Sequence, residues 1–165
     1  MSHVDFSCVE ADDRDRAWLA SESELLGGPM MVSRGRLYDL RAHPAVIVWH
    51  EKRRCGLAVY HLTEGELEVL AIRALTKYRG AGSTLLAEME RIARNCECAS
   101  ICLCTTNDNL DALRFYQRRG FTVRAYSVDG FREVLRIKGR NAEQSHAGQH
   151  GIPIRDVIEL SKPLR

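Results

Sequence analysis

The residues best suited to chemistry stand together in one short stretch, Lys77-Tyr78-Arg79-Gly80-Ala81-Gly82-Ser83-Thr84. Its two glycines permit backbone angles and close approaches that a Cβ forbids. Where such a stretch opens a helix, the first backbone N–H groups lack internal partners and sit at the positive end of the dipole, which makes an anion site. Lys77 and Arg79 add positive charge, and Ser83 or Thr84 a hydroxyl. A pyrophosphate fits these donors. The stretch is not a P-loop, because no lysine precedes Ser83, and not a dinucleotide fingerprint, because Leu85 stands where a third glycine is required. An ordinary loop and helix cap is the competing reading.

The flanking residues supply the elements that must position the loop. Leu67 to Leu75 is nearly continuous in Leu, Val, Ile and Ala, the run expected of a strand covered on both faces, with Glu68 and Arg73 as its exceptions. From Ser83 onward, Leu85, Leu86, Met89, Ile92 and Ala93 recur at helical spacing, so a helix starts near Gly82. Upstream, Ala45 to His50 and Cys55 to Leu62 read as an antiparallel hairpin that continues through a turn at Thr63-Glu64-Gly65 into the third strand. Downstream, Ser100 to Thr105 reads as a buried strand reached through a helix, which implies a parallel crossover.

Elsewhere the pattern predicts a first strand over Val4 to Val9 and a helix over Asp12 to Leu26 ended by Gly27-Gly28. Met30-Met31-Val32 begins a strand, and Leu37-Tyr38-Asp39-Leu40 reads as a short helical turn. A helix is expected over Asn109 to Arg119, capped by Asn107 or Asp108 and stopped by Gly120. Phe121 to Val128 and Phe131 to Ile137 flank Asp129-Gly130, a strong hairpin signal. Gly139 to Gly151 offers little to a core and reads as a mobile loop, and Ile152 to Leu160 as a final strand. The fold class is therefore α/β (α+β), a mixed, mostly antiparallel central sheet flanked by helices, in one domain over residues 1–165.

With 165 residues, 45% of them hydrophobic, 28% charged and a net charge of +2, the chain is too balanced for a nucleic-acid partner. No apolar run approaches the roughly 20 residues of a membrane span, and no basic leader precedes an apolar segment, so a cytoplasmic protein without a membrane partner is expected. Six cysteines then read as reduced thiols. Cys96-x-Cys98-x-x-x-Cys102-x-Cys104 invites comparison with a zinc site, but its spacing suits small buried side chains better, and no metal is assigned.

About thirty residues beyond Lys77 stands Asn109-Leu110-Asp111-Ala112-Leu113-Arg114-Phe115-Tyr116-Gln117-Arg118-Arg119-Gly120-Phe121. With the glycine loop, this segment resembles the GNAT superfamily of acyl-CoA-dependent N-acetyltransferases, whose loop runs Gln/Arg-x-x-Gly-x-Gly/Ala and whose later helix runs Asn-x-x-Ala, then Phe-Tyr and Gly-Phe. The likeness spans about Leu67 to Val128. Lys77 departs from it, keeping a donor but losing the planar fork of arginine.

The resemblance implies a sheet splayed beside the loop with acetyl-CoA, the co-substrate, in the opening. Its pantetheine arm would pair with backbone at Ile72, Arg73 and Ala74, its pyrophosphate would lie on Tyr78, Arg79, Gly80, Ala81, Gly82 and Ser83, and Asn109 would bond the pantetheine. Tyr116 would be the general acid beside the sulfur, against a competing reading as a core aromatic next to Phe115. A helix-start residue is the competing reading of Asn109.

Glu68, an acid within an apolar strand, is the candidate base, directly or through water, and Glu66 the second candidate; a solvent-facing Glu68 is the alternative. His50, His61, His146 and His150 carry no spacing that separates ligand, base and bystander. The implied activity is transfer of acetyl from acetyl-CoA to a small-molecule or peptide amine by direct attack. The rival is a non-catalytic acyl-CoA-binding or sensing module on the same fold. A homodimer is left open as the assembly.

Overall fold

The computed structural model describes residues 5–75 and 79–165. In chain order they form β1 (Phe6–Glu10), a 3-10 turn (Asp13–Asp15), α1 (Arg16–Leu25), β2 (Met30–Ser33), β3 (Arg36–Asp39), a second turn (Leu40–Ala42), β4 (Ala45–His50), β5 (Arg53–Thr63) and β6 (Glu66–Ala74). Then follow α2 (Ala81–Asn95), β7 (Ser100–Thr106), α3 (Leu110–Gln117), β8 (Thr122–Ser127), α4 (Gly130–Ile137), β9 (His146–Ala147), a turn (Gln149–Gly151), β10 (Pro153–Ile154) and β11 (Val157–Pro163). The central seven-stranded sheet, mostly antiparallel and flanked by helices, runs β1-β4-β5-β6-β7-β11-β8, with β2-β3 and β9-β10 as separate ladders. No helix among the described residues is long and apolar enough to cross a membrane.

The chain divides into two compact units. The first comprises Met1–Met31, Asp39–Ile101 and Leu164–Arg165. Its core follows from the apolar runs: Ile47, Val48 and Ala58 are fully buried, and Ala45 faces Val59 while Ile47 faces Leu57 across the β4-β5 ladder. The helix stripe read from sequence is seated as expected, with Leu85, Leu86, Met89 and Ala93 buried on α2. Gly56 makes this packing fit. A Cβ there would meet the Arg73 carbonyl at 2.5 Å and Leu85 Cδ1 at 3.2 Å, so only glycine lets β5 lie this close to β6 and α2 together. From β5, the Arg54 guanidinium lies 4.8 Å from the Trp49 ring and 5.4 Å from Trp18 of α1, and bonds Asp15 at 2.8 Å. A half-buried cation held by two aromatic rings and a carboxylate ties α1 to the β4-β5 hairpin.

The second unit comprises Val32–Tyr38 and Cys102–Pro163, and here several expectations are corrected. Leu37 to Leu40 is not a helical turn: Arg34 and Gly35, both at positive φ, close a two-residue hairpin, and the residues after it run as β3 into the Leu40–Ala42 turn. The Asp129-Gly130 hairpin does not form either. Its first half is β8, but β8 pairs with β11, from Thr122 opposite Ser161 to Ser127 opposite Val157, and its second half is the helix α4. The Asp129 N–H, which a hairpin would direct into its turn, is taken by Asp156 Oδ1 at 2.9 Å.

Gly139 to Gly151 is likewise more ordered than a mobile loop. Within it His146 and Ala147 pair with Ile154 and Pro153, His146 packs edge-on against Phe131, and the Gln149 N–H bonds Asp108. The last strand is divided by Arg155-Asp156 into β10 and β11. The cap of α3 is Asn109, because Asn107 already accepts from the Arg155 and Asp156 N–H groups and Asp108 from Thr106 and Gln149.

Asp156 is the hub of this unit. Its buried carboxylate accepts from Arg155 at 2.8 and 2.9 Å, from the Tyr126 hydroxyl at 2.6 Å and from the Asp129 N–H. Arg155 in the first place, with the Tyr126 and Asp129 donors, holds the carboxyl well below the ordinary carboxylate range. A folded value below the unfolded one gives stability that is present above the unfolded value, about 3.9, and lost as pH falls further. Urea unfolding should therefore show Asp156→Asn losing about 2–3 kcal/mol at pH 7, and a gap between wild type and variant that narrows at pH 3.

Candidate active site

The first unit carries the glycine loop. Gly80 adopts φ 98° and ψ −18°, the left-handed region, and precedes α2 as its N-cap without a side-chain bond to close the helix start. A Cβ at Gly80 would stand 3.3 Å from Phe6 Cε2. The first helical bond runs from the Thr84 N–H to the Gly80 carbonyl at 2.9 Å, so the amides before it face the helix entrance with its positive end. Thr84 is corrected as a ligand candidate: its hydroxyl donates back to the Gly80 carbonyl at 3.0 Å. Arg79 and Gly80 are exposed, Ala81 is buried, and Gly82 and Ser83 are half-buried. Lys77 and Tyr78 lie outside the described residues.

Ile72, Arg73 and Ala74 form the end of β6, opposite Ala58, Leu57 and Gly56 of β5. The Arg73 side chain is engaged by Glu22 of α1 at 2.7 Å, which leaves the backbone as this segment's contribution to any ligand.

Glu68 is 2% exposed, which overturns the solvent-facing alternative and leaves an acid enclosed in the strand. Its cross-strand partner is His61, a residue the sequence reading left among the bystanders. The signal was available, because Thr63-Glu66, Leu62-Leu67 and His61-Glu68 are the pairs obtained by counting outward from the turn. His43 lies edge-on to His61 with ring centroids 5.2 Å apart, and its Nδ1 donates to the Asp39 carbonyl at 2.9 Å. Glu66, the second candidate, accepts from the Ser100 hydroxyl at 3.0 Å.

The second unit carries Tyr116 and Asn109. Tyr116 is buried at 6% exposure in the last turn of α3, with its ring against Phe115 and Phe121 at 5.2 and 5.6 Å. Burial raises its phenol above the ordinary value, so the proton stays in place across the physiological range. The Asn109 carbonyl oxygen accepts from the Ala112 N–H at 3.2 Å, which realises the helix-start role and leaves the amide N–H groups for other work. All six cysteines are free thiols, Cys55, Cys98 and Cys102 being buried, and no group of three metal-binding side chains occurs among the described residues.

A mostly antiparallel sheet flanked by helices, with a glycine-capped helix following its β6 strand, is the architecture of a class of acyl-group transferases. Residues 11–121 match the Acetyltransferase (GNAT) family, and the chain belongs to that family. It is similar to the uncharacterised protein YdhI of Bacillus subtilis (strain 168), with 33% identity over 66% of each chain. Among solved structures, a Bacillus subtilis acetyltransferase in complex with CoA superposes with a TM-score of 0.74 at 18% identity, covering 98% of this chain and 100% of the other. A GNAT family acetyltransferase from Elizabethkingia anophelis with acetyl-CoA bound gives 0.70 at 19% identity, covering 96% and 97%.

The left-handed angle at Gly80 sets a clear expectation. Gly80→Ala should cost roughly 1–2 kcal/mol in urea unfolding, and Gly80→Asn less, because asparagine tolerates this region better than alanine.

Proposed function

We propose that this acetyltransferase uses acetyl-CoA as co-substrate and moves its acetyl group to an amine by direct attack. The observation that carries the reading is the left-handed Gly80 opening α2 directly after the β6 segment, within the stretch that matches the family. The structurally similar proteins crystallised with CoA or acetyl-CoA support the same co-substrate. In this reading the pyrophosphate lies on Tyr78 to Ser83 with Lys77 beside it, and the pantetheine follows the backbone of Ile72, Arg73 and Ala74 and reaches Asn109.

Chemically, the amine nitrogen forms a bond to the thioester carbonyl carbon and the carbon–sulfur bond breaks. The proton leaving the nitrogen passes to Glu68, directly or through water; His61 is the residue opposite it in the β5-β6 ladder. Tyr116 gives its proton to the departing sulfur and recovers one from solvent. No covalent enzyme intermediate is required, so no acetyl-cysteine should be trapped.

Three measurements test this. Calorimetric titration with acetyl-CoA should show binding to the wild type that is lost in Gly82→Trp; absence of binding by the wild type would remove the co-substrate. Tyr116→Phe should lower kcat about 10²-fold or more while leaving CoA affinity unchanged. Because burial raises the Tyr116 phenol, the wild-type rate should show no alkaline decline below about pH 10, the ordinary phenol value. Unchanged turnover in Tyr116→Phe would take the acid role from this residue.

A further inference from the structure

The first unit, which carries the glycine loop and Glu68, also encloses a cavity of about 360 Å³ between α1 and the β4-β5 ladder. Leu19 and Ala20 of α1, Leu40 of the turn before β4, Ala45 of β4, and Leu57 and Val59 of β5 form its apolar walls. This volume lies in the range of about 300–1,000 Å³ that small-molecule sites occupy. The cavity and Glu68 share one face of the sheet. Leu57, Val59 and His61 alternate along β5 and so point to one face, and their ladder partners Arg73, Ala71 and Glu68 point the same way. The register slips by one residue at Leu70, pairing Val59 with Ala71 but Tyr60 with Val69, and this slip brings Glu68 instead of Val69 to the α1 side. His43, which lines the cavity, has its ring 5.2 Å from that of His61, the residue opposite Glu68.

The charge of the lining is one-sided. Arg16 and Arg41 stand at the rim, their side chains 79% and 65% exposed, and no Asp or Glu among the described residues lines the cavity. Each guanidinium holds an acid outside the lining, Arg16 binding Asp13 and Arg41 binding Asp39, both at 2.8 Å. Exposed pairs of this kind are worth little, and a guanidinium has five N–H donors, so both arginines can take a further carboxylate. An ammonium finds no partner of opposite charge in these walls, whereas Glu68 is enclosed on the same face of the sheet.

We propose that this cavity holds the acceptor, and that the acceptor is an amino carboxylate whose amine and carboxylate are separated by an apolar spacer. This rests on the acetyltransferase reading. The spacer lies among Leu19, Leu40, Leu57 and Val59, the carboxylate binds at Arg16 and Arg41, and the amine passes His43 to reach Glu68. With the pyrophosphate beyond Ala74 and the pantetheine on Ile72, Arg73 and Ala74, the acetyl end of acetyl-CoA points along β6 toward the same residue. In this placement the carboxylate beside the amine is the one that takes its proton, and the arginines disfavour an ammonium held back in the cavity. A lysine side chain offers the apolar stem without the anion. A diamine sets a second cation against the arginines.

The probes are 8-aminooctanoate, octylamine and 1,8-diaminooctane, which share one chain length and differ in the charge at the far end. Each is titrated calorimetrically into the full chain in the presence of CoA, alongside acetyl-CoA alone. 8-Aminooctanoate should bind at least about tenfold more tightly than octylamine, with 1,8-diaminooctane the weakest. Arg41→Gln should weaken 8-aminooctanoate about fivefold and leave octylamine unchanged, and Ala20→Trp, which sets a ring into the cavity, should weaken 8-aminooctanoate about tenfold, with acetyl-CoA affinity unchanged in both. Arg41→Gln alters an exposed side chain and serves where the larger substitution disturbs the fold, which far-ultraviolet circular dichroism reports. With acetyl-CoA, mass spectrometry should find 8-aminooctanoate acetylated on nitrogen. Tightest binding of the diamine, equal binding of 8-aminooctanoate and octylamine, affinity indifferent to a folded Ala20→Trp and to Arg41→Gln, or 8-aminooctanoate bound beside acetyl-CoA but never acetylated would each overturn the assignment. Failure of acetyl-CoA to bind would instead remove the co-substrate and with it the acceptor role, while the order of the three amines would still decide which ligand class the cavity takes.

Discussion

One buried carboxylate, Asp156, decides the course of the C-terminal unit. Four donor contacts from three residues converge on it, and a carboxylate so enclosed is tolerable only because they do. Each donor fixes a different part of the chain. Tyr126 belongs to β8, Asp129 is the residue at which β8 gives way to α4, and Arg155 leads into β11. The Asp156 N–H in turn donates to Asn107, which binds the chain beyond β7 to the same point. With these contacts in place the polypeptide must leave β8 and turn into a helix. Gly130 fits this corner because a Cβ there would stand 2.5 Å from the Ser127 hydroxyl.

The first unit depends on a constraint of the opposite kind, the absence of a side chain. Gly56 admits β6 and α2 to the same small space, and that approach brings the start of the helix against the ladder that ends at Ala74. Gly80 then lets the chain reverse into α2 through a backbone angle that side-chain-bearing residues resist. The position of the α2 entrance is thus a consequence of packing. The stripe of Leu85, Leu86 and Met89 pins the helix, and its entrance follows.

What could be read from the chain, and what could not, divides along the same line. The β4-β5-β6 meander and α2 were legible because each is specified by its own neighbours: apolar runs, short turns and a 3.6-residue stripe all agree. Counting outward from the Thr63-Gly65 turn would also have given the His61-Glu68 pair. The β8-α4 corner was not legible, because a local Asp-Gly signal was overruled by a residue 27 positions away. The same holds for the cap of α3, where Asn107 and Asp108 were plausible by type but occupied by residues from the C-terminal segment. Of the site, the loop and the Tyr116 helix could be read from motif spacing. The cavity under α1 could not, because its walls come from separate stretches of the chain and leave no local signal.

The burial of Tyr116 bears on what kind of acid it can be. Desolvation raises its phenol above the ordinary value of about 10, while an alkyl thiol titrates near 8.5, so a full proton transfer to a free thiolate runs uphill. The sulfur of CoA is already a tolerable leaving group at neutral pH and does not need a strong acid. In the proposed transfer, what it gains from a buried phenol is a hydrogen bond in a poorly screened environment, strengthening as negative charge develops on sulfur. In the proposed transfer Tyr116 therefore acts first as an oriented donor, held by Phe115 and Phe121, and the proton moves only as the sulfur departs. The same burial that makes it a weak acid keeps its proton in place across the physiological range.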